Sequence, residues 1–467
     1  MPQYVFLCQD CNKEFAQILH IADLEKGGVV CPHCSSKRVT QAVTAFSAVT
    51  SKKSYVAHQS PAPSAAAIAD LAAKEFLADH EVPAYVSDLY RWPGRGRAAR
   101  WSVGRSSTKP VSRPQPSSDN GRGSRFLSRY KKAMLFVCCA KASTERYMKA
   151  IVYHNYGSPD VLKCVEIEKP TAGNNEVLIR VRAASVNPLD WHFMRGSPYL
   201  VRLMAGLRKP KIPRLGVDVA GQVEAVGGNV KQFKPGDAVF GGCRGAFAEY
   251  ACAAERALVM KPDNLTFEEA ASVNIAAITA LQALRDHGRI QSGQKVLING
   301  AAGGVGTFAV QIARSFGADV TGVCSTRNVD MVRSIGANRV IDYTQEDFTK
   351  SSDGYDLILD SIGNHSLSAC RRVLKPKGSC VMVGGPDGGL LGPLIGMVKA
   401  VLLSRFVSQS FVMMLAKPSK EDLNILRELM ETGKVKPVID RRYSLSEVPE
   451  AIRYLEEGHA QGKVVIT

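Results

Sequence analysis

Four cysteines near the start of the chain are arranged in two Cys-x-x-Cys pairs. The first pair is Cys8 and Cys11, the second is Cys31 and Cys34, and 19 residues separate the pairs. Two turns of this spacing can place four thiolates at the corners of a tetrahedron, which is the geometry of a structural zinc site. A redox-active pair would need a strand–helix–strand setting, and none surrounds these cysteines. The spacing therefore predicts structural zinc in a small module of residues 1–50.

A glycine-rich turn follows an apolar strand much farther along the chain. The strand is predicted at 295–299, and an amphipathic helix follows the turn. Glycines let the backbone approach a pyrophosphate, and the free N–H groups at the start of a helix bind its oxygens. Strand, turn and helix in this order predict a dinucleotide site. Its residues are Gly303, Gly304, Val305 and Gly306.

The end of the next strand indicates which dinucleotide is bound. An NAD site usually has an Asp or Glu there, which binds the ribose 2′-hydroxyl. This chain instead has Ser325, Thr326 and Arg327. Hydroxyls and a guanidinium suit a 2′-phosphate, since Arg can pair with it bidentately. We therefore expect NADPH as the cofactor, in preference to NADH.

Alternating strands and helices must hold this turn in place. Strands are predicted at 295–299, 320–324, 339–341, 357–359 and 379–383, with helices such as 306–316 and 329–335 between them. Repeated strand–helix units imply a parallel, doubly wound sheet. The roughly 125 residues that begin at Met148 and come before these units are instead rich in predicted strands, with Gly and Pro between them. The fold class is therefore α/β, with a second, β-rich domain.

The positive charge of the chain is concentrated between these two parts. The formal net charge is +17, and residues 84–147 hold 14 Lys and Arg against 3 Asp and Glu. Residues 51–147 are rich in Pro, Ser, Arg and Gly, with too few apolar side chains to offset the entropy of ordering the chain. They predict a disordered linker. A weak contact with nucleic acid or another anionic surface is the alternative reading.

The sequence argues against a membrane-spanning or secreted protein. No apolar run reaches the ~18 residues needed to cross a bilayer, and residues 390–403 are interrupted by Gly, Pro and Lys. The N-terminal residues lack the basic region and apolar core of a secretory signal. The eight cysteines outside the two pairs are scattered, which is typical of reduced thiols. We expect a cytoplasmic protein without membrane insertion.

From Met148 onward the chain carries an ordered series of motifs, among them MKAIVYHNYGSPDVL, AASVNPLDW, GVDVAGQVEAVGGNV, FKPGDAVFG, AAITALQAL, GAAGGVG, GANRVIDY and GKVVIT. In these motifs the sequence resembles the zinc-independent quinone oxidoreductase (zeta-crystallin-like) branch of the medium-chain dehydrogenase/reductase superfamily, which is alcohol dehydrogenase-like. The resemblance implies a GroES-like catalytic domain (148–274 and 419–467) interrupted by a Rossmann NADP-binding domain (275–418), with the active site between them.

The same resemblance implies roles for single residues. Asn187 and Asp190 would line the nicotinamide side of the cleft, with Asn187 as an orienting hydrogen-bond donor. Further cofactor contacts would come from Thr279, Gly303, Gly304, Val305, Ser325, Arg327, Tyr343, Ser361, Gly384, Gly385 and Lys463. Homodimerisation is a further family expectation. Residues 1–50 resemble the FmdB-type zinc-ribbon family.

The chain departs from the zinc-dependent members of the superfamily. They have a Cys within the stretch equivalent to Ser185–Asn187, and Gly-His-Glu in place of Gly216-Val217-Asp218. Catalytic zinc needs about three protein ligands, so we expect a reaction without it. Quinones and α,β-unsaturated carbonyls can accept hydride without a Lewis acid. An NADPH-dependent reductase of such compounds is the expected function. The alternatives are an alcohol or aldehyde dehydrogenase and a regulatory zinc-ribbon protein whose reductase fold senses NADPH.

Overall fold

The computed structural model describes two compact units of the chain, one within Met1–Phe76 and one within Leu77–Thr467. The predicted linker lies almost entirely outside the described residues, and so do Gly384 and Gly385. No helix in the described part is long and apolar enough to cross a membrane. The described residues are 3–11, 14–18, 30–36, 39–42, 146–383 and 407–467.

The first unit contains a three-stranded antiparallel sheet. Its strands are β1 (Gln3–Cys8), β2 (Glu14–Ile18) and β3 (Val39–Ala42), in the order β2-β1-β3. Because Cys8 is the last residue of β1, the first cysteine pair lies in the turn that leaves the sheet.

The second unit contains a seven-stranded sheet, and its strands come from both the N-terminal and the C-terminal parts of that unit. Its main path runs β10-β8-β7-β6-β18-β17, and β9 pairs with β6. The closing strand β18 runs antiparallel to β6, which places the C-terminus of the chain beside residues 184–186. The strands are β6 (Glu176–Val186), β7 (Asp218–Val226), β8 (Ala238–Gly242), β9 (Tyr250–Ala254), β10 (Leu258–Met260), β17 (Ile439–Tyr443) and β18 (Lys463–Ile466). A separate pair, β4 (Tyr147–Val152) and β5 (Lys163–Glu168), is antiparallel.

A six-stranded sheet forms the dinucleotide-binding part of the same unit, and all its described pairings are parallel. Its order, β13-β12-β11-β14-β15-β16, is that of a doubly wound sheet. The predicted α/β fold class and the five predicted strands are therefore confirmed. The strands are β11 (Lys295–Asn299), β12 (Asp319–Cys324), β13 (Arg339–Asp342), β14 (Tyr355–Asp360), β15 (Leu374–Met382) and β16 (Ser410–Met413).

Helices cover this sheet and connect it to the β-rich part. The helix after the glycine-rich turn begins at Gly304, two residues before the predicted start, because the N-cap position falls on Gly303. The described helices are α1 (Pro188–Arg195), α2 (Leu200–Ala205), α3 (Phe267–Ala271), α4 (Asn274–Gln282), α5 (Gly304–Ser315), α6 (Val329–Ser334), α7 (Leu367–Val373), α8 (Lys420–Glu431) and α9 (Val448–Glu456).

The core of the second unit continues across its two sheets. Helices α4 and α5 are apolar on most sides and pack against each other and the parallel sheet, with Leu281, Phe308 and Val310 fully buried. The same cluster includes Val465 of β18. The closing strand also meets the glycine-rich turn, since Gly462 N–H donates to the Ala302 carbonyl at 2.8 Å. The β-rich sheet is therefore fixed against the dinucleotide turn by backbone contacts.

Candidate functional site

The glycine-rich turn has the shape that a pyrophosphate requires. Gly303 caps α5, and no side chain caps the first turn of this twelve-residue helix. The helix therefore starts with N–H groups directed out of its end, where an anion is stabilised by the helix dipole. A Cβ built on Gly303 would meet only the Gly300 carbonyl oxygen, at 3.5 Å, so open space lies above the turn.

Gly306 has a different task, which is close packing. A Cβ at this position would lie 2.0 Å from the Gly300 carbonyl oxygen and 2.8 Å from Ala301. Both obstacles are backbone atoms. The absence of a Cβ at Gly306 therefore lets the helix approach the strand.

A buried polar cluster lies beside this turn. We name it the Asp218 cluster, and each member exposes 3% of its surface or less. Charged side chains are almost never buried this deeply unless they are paired. The members are Ser185, Asn187, Asp218, Asn274 and Lys463.

Asp218 is the acceptor at the centre of the cluster. Its Oδ2 accepts hydrogen bonds from Ser185 Oγ at 2.8 Å and from Asn187 Nδ2 at 2.9 Å. Its Oδ1 accepts from Asn274 Nδ2 at 3.0 Å and from the Ile275 N–H at 3.1 Å. Because Asn274 and Ile275 begin α4, the carboxylate also benefits from that helix's positive end.

Lys463 connects the cluster to the glycine-rich turn. Its Nζ donates to Asn187 Oδ1 at 2.5 Å and lies 3.5 Å from Asp218 Oδ2. Its aliphatic chain passes the turn, since a Cβ on Gly304 would be 3.2 Å from the Lys463 Cδ. Burial lowers the pKa of the Lys463 ammonium, and Asp218 opposes that shift. The ammonium is thus a buried cation that the carboxylate holds in place.

The amide of Asn187 is fully used within the protein. Its Nδ2 donates to Asp218 and, at 3.3 Å, to the Ser185 carbonyl, while its Oδ1 accepts from Lys463. The role expected for Asn187, an orienting donor toward a substrate, would require one of these bonds to be exchanged. In the structure it acts as a rigid link between Lys463 and Asp218.

Asp190 supports the start of α1 and does not face open space. Its carboxylate accepts from the Asn187 N–H at 2.8 Å and from the Gly216 N–H at 3.0 Å, and it is 1% exposed. Burial raises its pKa to about 7. Asp190 therefore positions Asn187 through the backbone.

The residues expected at the adenosine end lie together at the ends of β12 and β13. Thr326 Oγ1 donates to Asp342 Oδ2 at 2.5 Å, and the Ser325 hydroxyl accepts from Asn328. Tyr343 is 59% exposed, and its backbone N–H donates to the Cys324 carbonyl at the end of β12. Its aromatic ring is therefore accessible beside the end of that strand. An acidic residue is thus present here, although it comes from β13 and not from β12.

Arg327 has a contact that the sequence did not suggest. Its Nη2 donates to the His459 carbonyl at 2.8 Å, in the loop just before Gly462. This bond holds a loop of the closing segment at the adenosine end of the sheet. The guanidinium has further donors for a phosphate, since one Arg carries five.

Thr279 and Ser361 both use their hydroxyl protons locally. Thr279 Oγ1 donates to the Ile275 carbonyl at 2.6 Å, within α4. Ser361 Oγ donates to the Asn299 carbonyl at 2.7 Å and lies against Gly300 of the turn. Toward a cofactor, both hydroxyls could only accept hydrogen bonds in this arrangement.

The residues of the Asp218 cluster do not fit a catalytic zinc ion. They offer one carboxylate, two amides and a hydroxyl, while zinc prefers thiolate and imidazole ligands. The Lys463 ammonium also brings a positive charge to the place where Asn187 and Asp218 meet. In the described residues, Cys243 is buried and Cys252 donates to the Thr171 carbonyl, so neither belongs to a ligand set.

The four cysteines of the first unit do converge. Their Sγ atoms all lie within 4.8 Å of one another, with Cys8 and Cys34 separated by 3.5 Å and Cys11 and Cys31 by 3.7 Å. The N–H of Cys11 lowers the pKa of the Cys8 thiol to about 6, whereas the hydrogen bond with Cys8 raises the pKa of the neighbouring Cys34 thiol. The cluster can hold a metal ion.

Sequence reasoning missed part of the polar cluster. Ser185 and Asp218 were noted only as positions without zinc ligands, and Asn274 was not noted at all. An Asp inside the apolar run of β7 was an available signal, because a buried carboxylate needs several donors. Its partners lie 31 to 245 residues away in sequence, so no local pattern identifies them.

Comparison with known proteins agrees with this architecture. The family model described as "Alcohol dehydrogenase GroES-like domain" matches residues 173–263, and "Zinc-binding dehydrogenase" matches 335–466. The quinone-oxidoreductase QR1 of Triphysaria versicolor is 36% identical over 69% of this chain and 98% of its own length. The NADPH-dependent alkenal/one oxidoreductase of Arabidopsis thaliana is 34% identical over 70% of this chain and 81% of its own length.

A solved structure extends the likeness to three dimensions. The quinone oxidoreductase from Coxiella burnetii superposes with a TM-score of 0.62 at 33% identity, and the match covers 68% of this chain and 99% of that one. The matched share corresponds to the part of the chain after the linker. The chain therefore belongs to the quinone oxidoreductase branch of the medium-chain dehydrogenase/reductase superfamily.

Proposed function

We propose that residues 148–467 form an NADPH-dependent oxidoreductase that transfers hydride to a quinone or an α,β-unsaturated carbonyl compound. The observation that carries the proposal is the position of Lys463, which contacts the glycine-rich turn and the Asp218 cluster at once. The names of two relatives, a quinone oxidoreductase and an NADPH-dependent alkenal/one oxidoreductase, support the substrate class.

The cofactor would be held along the edge formed by the strand ends. NADPH supplies a hydride from the nicotinamide C4. The N–H groups of Gly304 and Val305 would bind the pyrophosphate, since the space beside Gly303 is open. Ser325 and Arg327 would bind the 2′-phosphate, and Tyr343 would contact the adenine. The 2′-phosphate favours NADPH, because Arg327 uses only one of its donors on the His459 carbonyl.

The Asp218 cluster supplies a fixed positive charge. Hydride addition to a conjugated carbonyl places negative charge on its oxygen, and a preorganised cation stabilises that charge. Lys463 provides the cation, and Asp218 and Asn187 prevent it from turning away. We assign Lys463 as the residue that stabilises the charge and Asn187 and Asp218 as the residues that position it, and water completes the proton transfer.

We further propose that Cys8, Cys11, Cys31 and Cys34 bind structural zinc. The support is the convergence of four Sγ atoms within 4.8 Å. A small module of this size has little apolar core, and bound zinc contributes directly to its folding.

The test is NADPH oxidation by the full chain with a panel of quinones, enones and alcohol–NADP⁺ pairs. We expect turnover with quinones or enones and little with alcohols. Lys463→Met should lower kcat about 100-fold with a much smaller change in the NADPH dissociation constant. Lys434→Met, at an exposed lysine, is the matched control and should change neither.

Three results would contradict the proposal. One is NADPH binding without turnover on any acceptor, which is the behaviour of a cofactor sensor. The second is alcohol oxidation as fast as enone reduction. The third is an unchanged kcat in Lys463→Met with an unaltered pH–rate profile, which would mean that the buried charge has no part in the reaction.

A further inference from the structure

One connection in the second unit is basic throughout. Between Trp191 and Val217 the chain has six Lys or Arg residues and no Asp or Glu. This segment includes most of α1 and all of α2, and it ends where β7 begins. The imbalance is local, because the neighbouring strands β6 and β7 together carry both signs of charge.

Large apolar side chains are exposed on the same segment. Tyr199, Leu203 and Leu207 expose 59%, 63% and 68% of their surfaces. They are spaced four residues apart, and Leu207 follows Gly206, the C-cap of α2. Three exposed cations come next in the sequence, Arg208, Lys209 and Lys211. We call these six side chains the basic apolar surface.

The backbone under this surface is held in place. Tyr156 Oη donates to the Gly206 carbonyl at 2.6 Å, and the Lys211 N–H binds the Ala205 carbonyl at 2.7 Å. The Arg202 guanidinium lies over the rings of Tyr156 and Tyr199, at 4.7 and 4.5 Å from their centroids. The two leucines are therefore exposed on a fixed support.

None of the three exposed cations forms an ion pair within the described part of the chain. Exposed leucines beside unpaired cations are the pattern of a segment that lies in the interface of a bilayer. The apolar groups enter the boundary between headgroups and acyl chains, and Lys and Arg remain at the level of the phosphates. An apolar protein partner would leave the cations without counter-charges.

We propose that the basic apolar surface docks residues 148–467 on a lipid bilayer that carries anionic headgroups. This is peripheral binding, and it is compatible with the finding that no described helix can span a membrane. The inference does not depend on the proposed reaction. The two connect through α1, because this helix begins beside Asn187 and leads to the surface, so that a lipid-soluble acceptor would be met at the docked face.

The test measures co-sedimentation of the full chain with vesicles of phosphatidylcholine alone and with 25% phosphatidylglycerol, as defined probes. We expect binding to the anionic vesicles only. The double variant Leu203→Ser with Leu207→Ser should weaken it about tenfold or more, since the charge is unchanged and only the inserted apolar area is lost. Leu415→Ser removes a leucine that is 73% exposed elsewhere, and it is the matched control.

A second measurement separates this surface from the basic linker, which could itself attract anionic lipid. Brominated lipids should quench the added fluorescence of Leu203→Trp but not that of Leu415→Trp. Unchanged melting temperatures show that the variants fold. The proposal is overturned if the full chain binds no anionic vesicle, as expected of a surface that recognises an acidic protein instead. It is equally overturned if the double serine variant binds anionic vesicles as strongly as Leu415→Ser does, and the fluorescence of Leu203→Trp is quenched no more than that of Leu415→Trp.

Discussion

A lysine and an aspartate form the centre of the buried polar cluster. Asp218 accepts hydrogen bonds from β6 and α4, and Lys463 of β18 places a positive charge beside it. A buried pair of this kind is weak evidence for stability, because desolvation offsets most of the attraction. Its value lies in placing one charge at a defined point, and in the proposed reaction that charge stabilises the substrate oxygen.

The first prediction concerns Asp190 and pH. Its pKa is raised to about 7 by burial, so the folded protein binds this proton more tightly than the unfolded chain does. The carboxyl therefore contributes stability at low pH that is lost as pH rises toward 7, by at most about 1.4 kcal/mol per pH unit. In Asp190→Asn this contribution is absent. The melting temperature of the wild type, measured relative to that of the variant, should therefore fall from pH 5 to pH 8. A relative melting temperature that rises with pH would contradict the assignment.

The second prediction concerns Arg327. Arg327→Ala should raise the Michaelis constant for NADPH about 10- to 100-fold through loss of a charged hydrogen bond to phosphate. The constant for NADH should change little, and it reports any effect of releasing the His459 carbonyl. Arg333→Ala removes an exposed arginine of α6 and serves as the control. An equal rise for both cofactors would show that Arg327 only holds the loop.

At the scale of elements, the strand–turn–helix unit β11–α5 divides its tasks among its glycines. Gly303 keeps space open above the helix end, and Gly306 allows contact between helix and strand. The closing strand then completes the arrangement, because Gly303 and Gly462 form a β-bridge. The cofactor turn and the Lys463 side chain are therefore positioned by the same short stretch.

The third prediction compares these two glycines. Gly306→Ala should lower the free energy of unfolding by about 1–3 kcal/mol, because the backbone oxygen at 2.0 Å cannot move aside. The melting temperature should therefore fall by several degrees. Gly303→Ala should leave the melting temperature nearly unchanged and weaken NADPH binding, since its Cβ projects into the open space. Thermal unfolding and fluorescence titration with NADPH measure the two effects. A stable Gly306→Ala variant with full NADPH affinity would refute the packing role.

At the scale of the whole molecule, the cysteine cluster and the glycine-rich turn belong to separate units. The described cysteine cluster lies within Met1–Phe76, and the cofactor turn and the Asp218 cluster lie within Leu77–Thr467. The domain boundaries at 274/275 and 418/419 stay predictions, although the strands of the β-rich sheet all fall outside 275–418 and those of the parallel sheet inside it.

The fourth prediction follows from this separation. The purified chain should contain about one zinc ion, and the double variant Cys8→Ser with Cys31→Ser should contain none. NADPH oxidation should be the same in both proteins, because no step of the proposed reaction uses the metal. Elemental analysis and turnover on one preparation measure both quantities. Zinc that persists in the variant would place a metal elsewhere in the chain, and activity lost together with the metal would show that the first unit takes part in the reaction.

Local pattern was sufficient for the parts of this protein that depend on neighbours in sequence. The cysteine spacing, the glycine-rich turn and the period of apolar residues in β11 and α5 each follow from a few consecutive positions, so the α/β class and the phosphate-binding turn were predictable. The ends of the strands were less predictable from the sequence. For example, β15 begins at Leu374, five residues before the predicted start. A bulge in its pairing with β14 allows this extension across a Pro.

Tertiary structure decided what the buried polar residues do. Asn187, Asp218 and Lys463 come from β-strands and turns far apart in the chain. The pairing of β7 with β6 brings Asp218 beside Asn187, and the antiparallel pairing of β18 with β6 adds Lys463. The physical reason is that a buried charge can be stabilised by any donor that the fold supplies, whatever its place in the sequence. Residue types alone therefore indicated which groups were present, while the sheet determined which partner each of them meets.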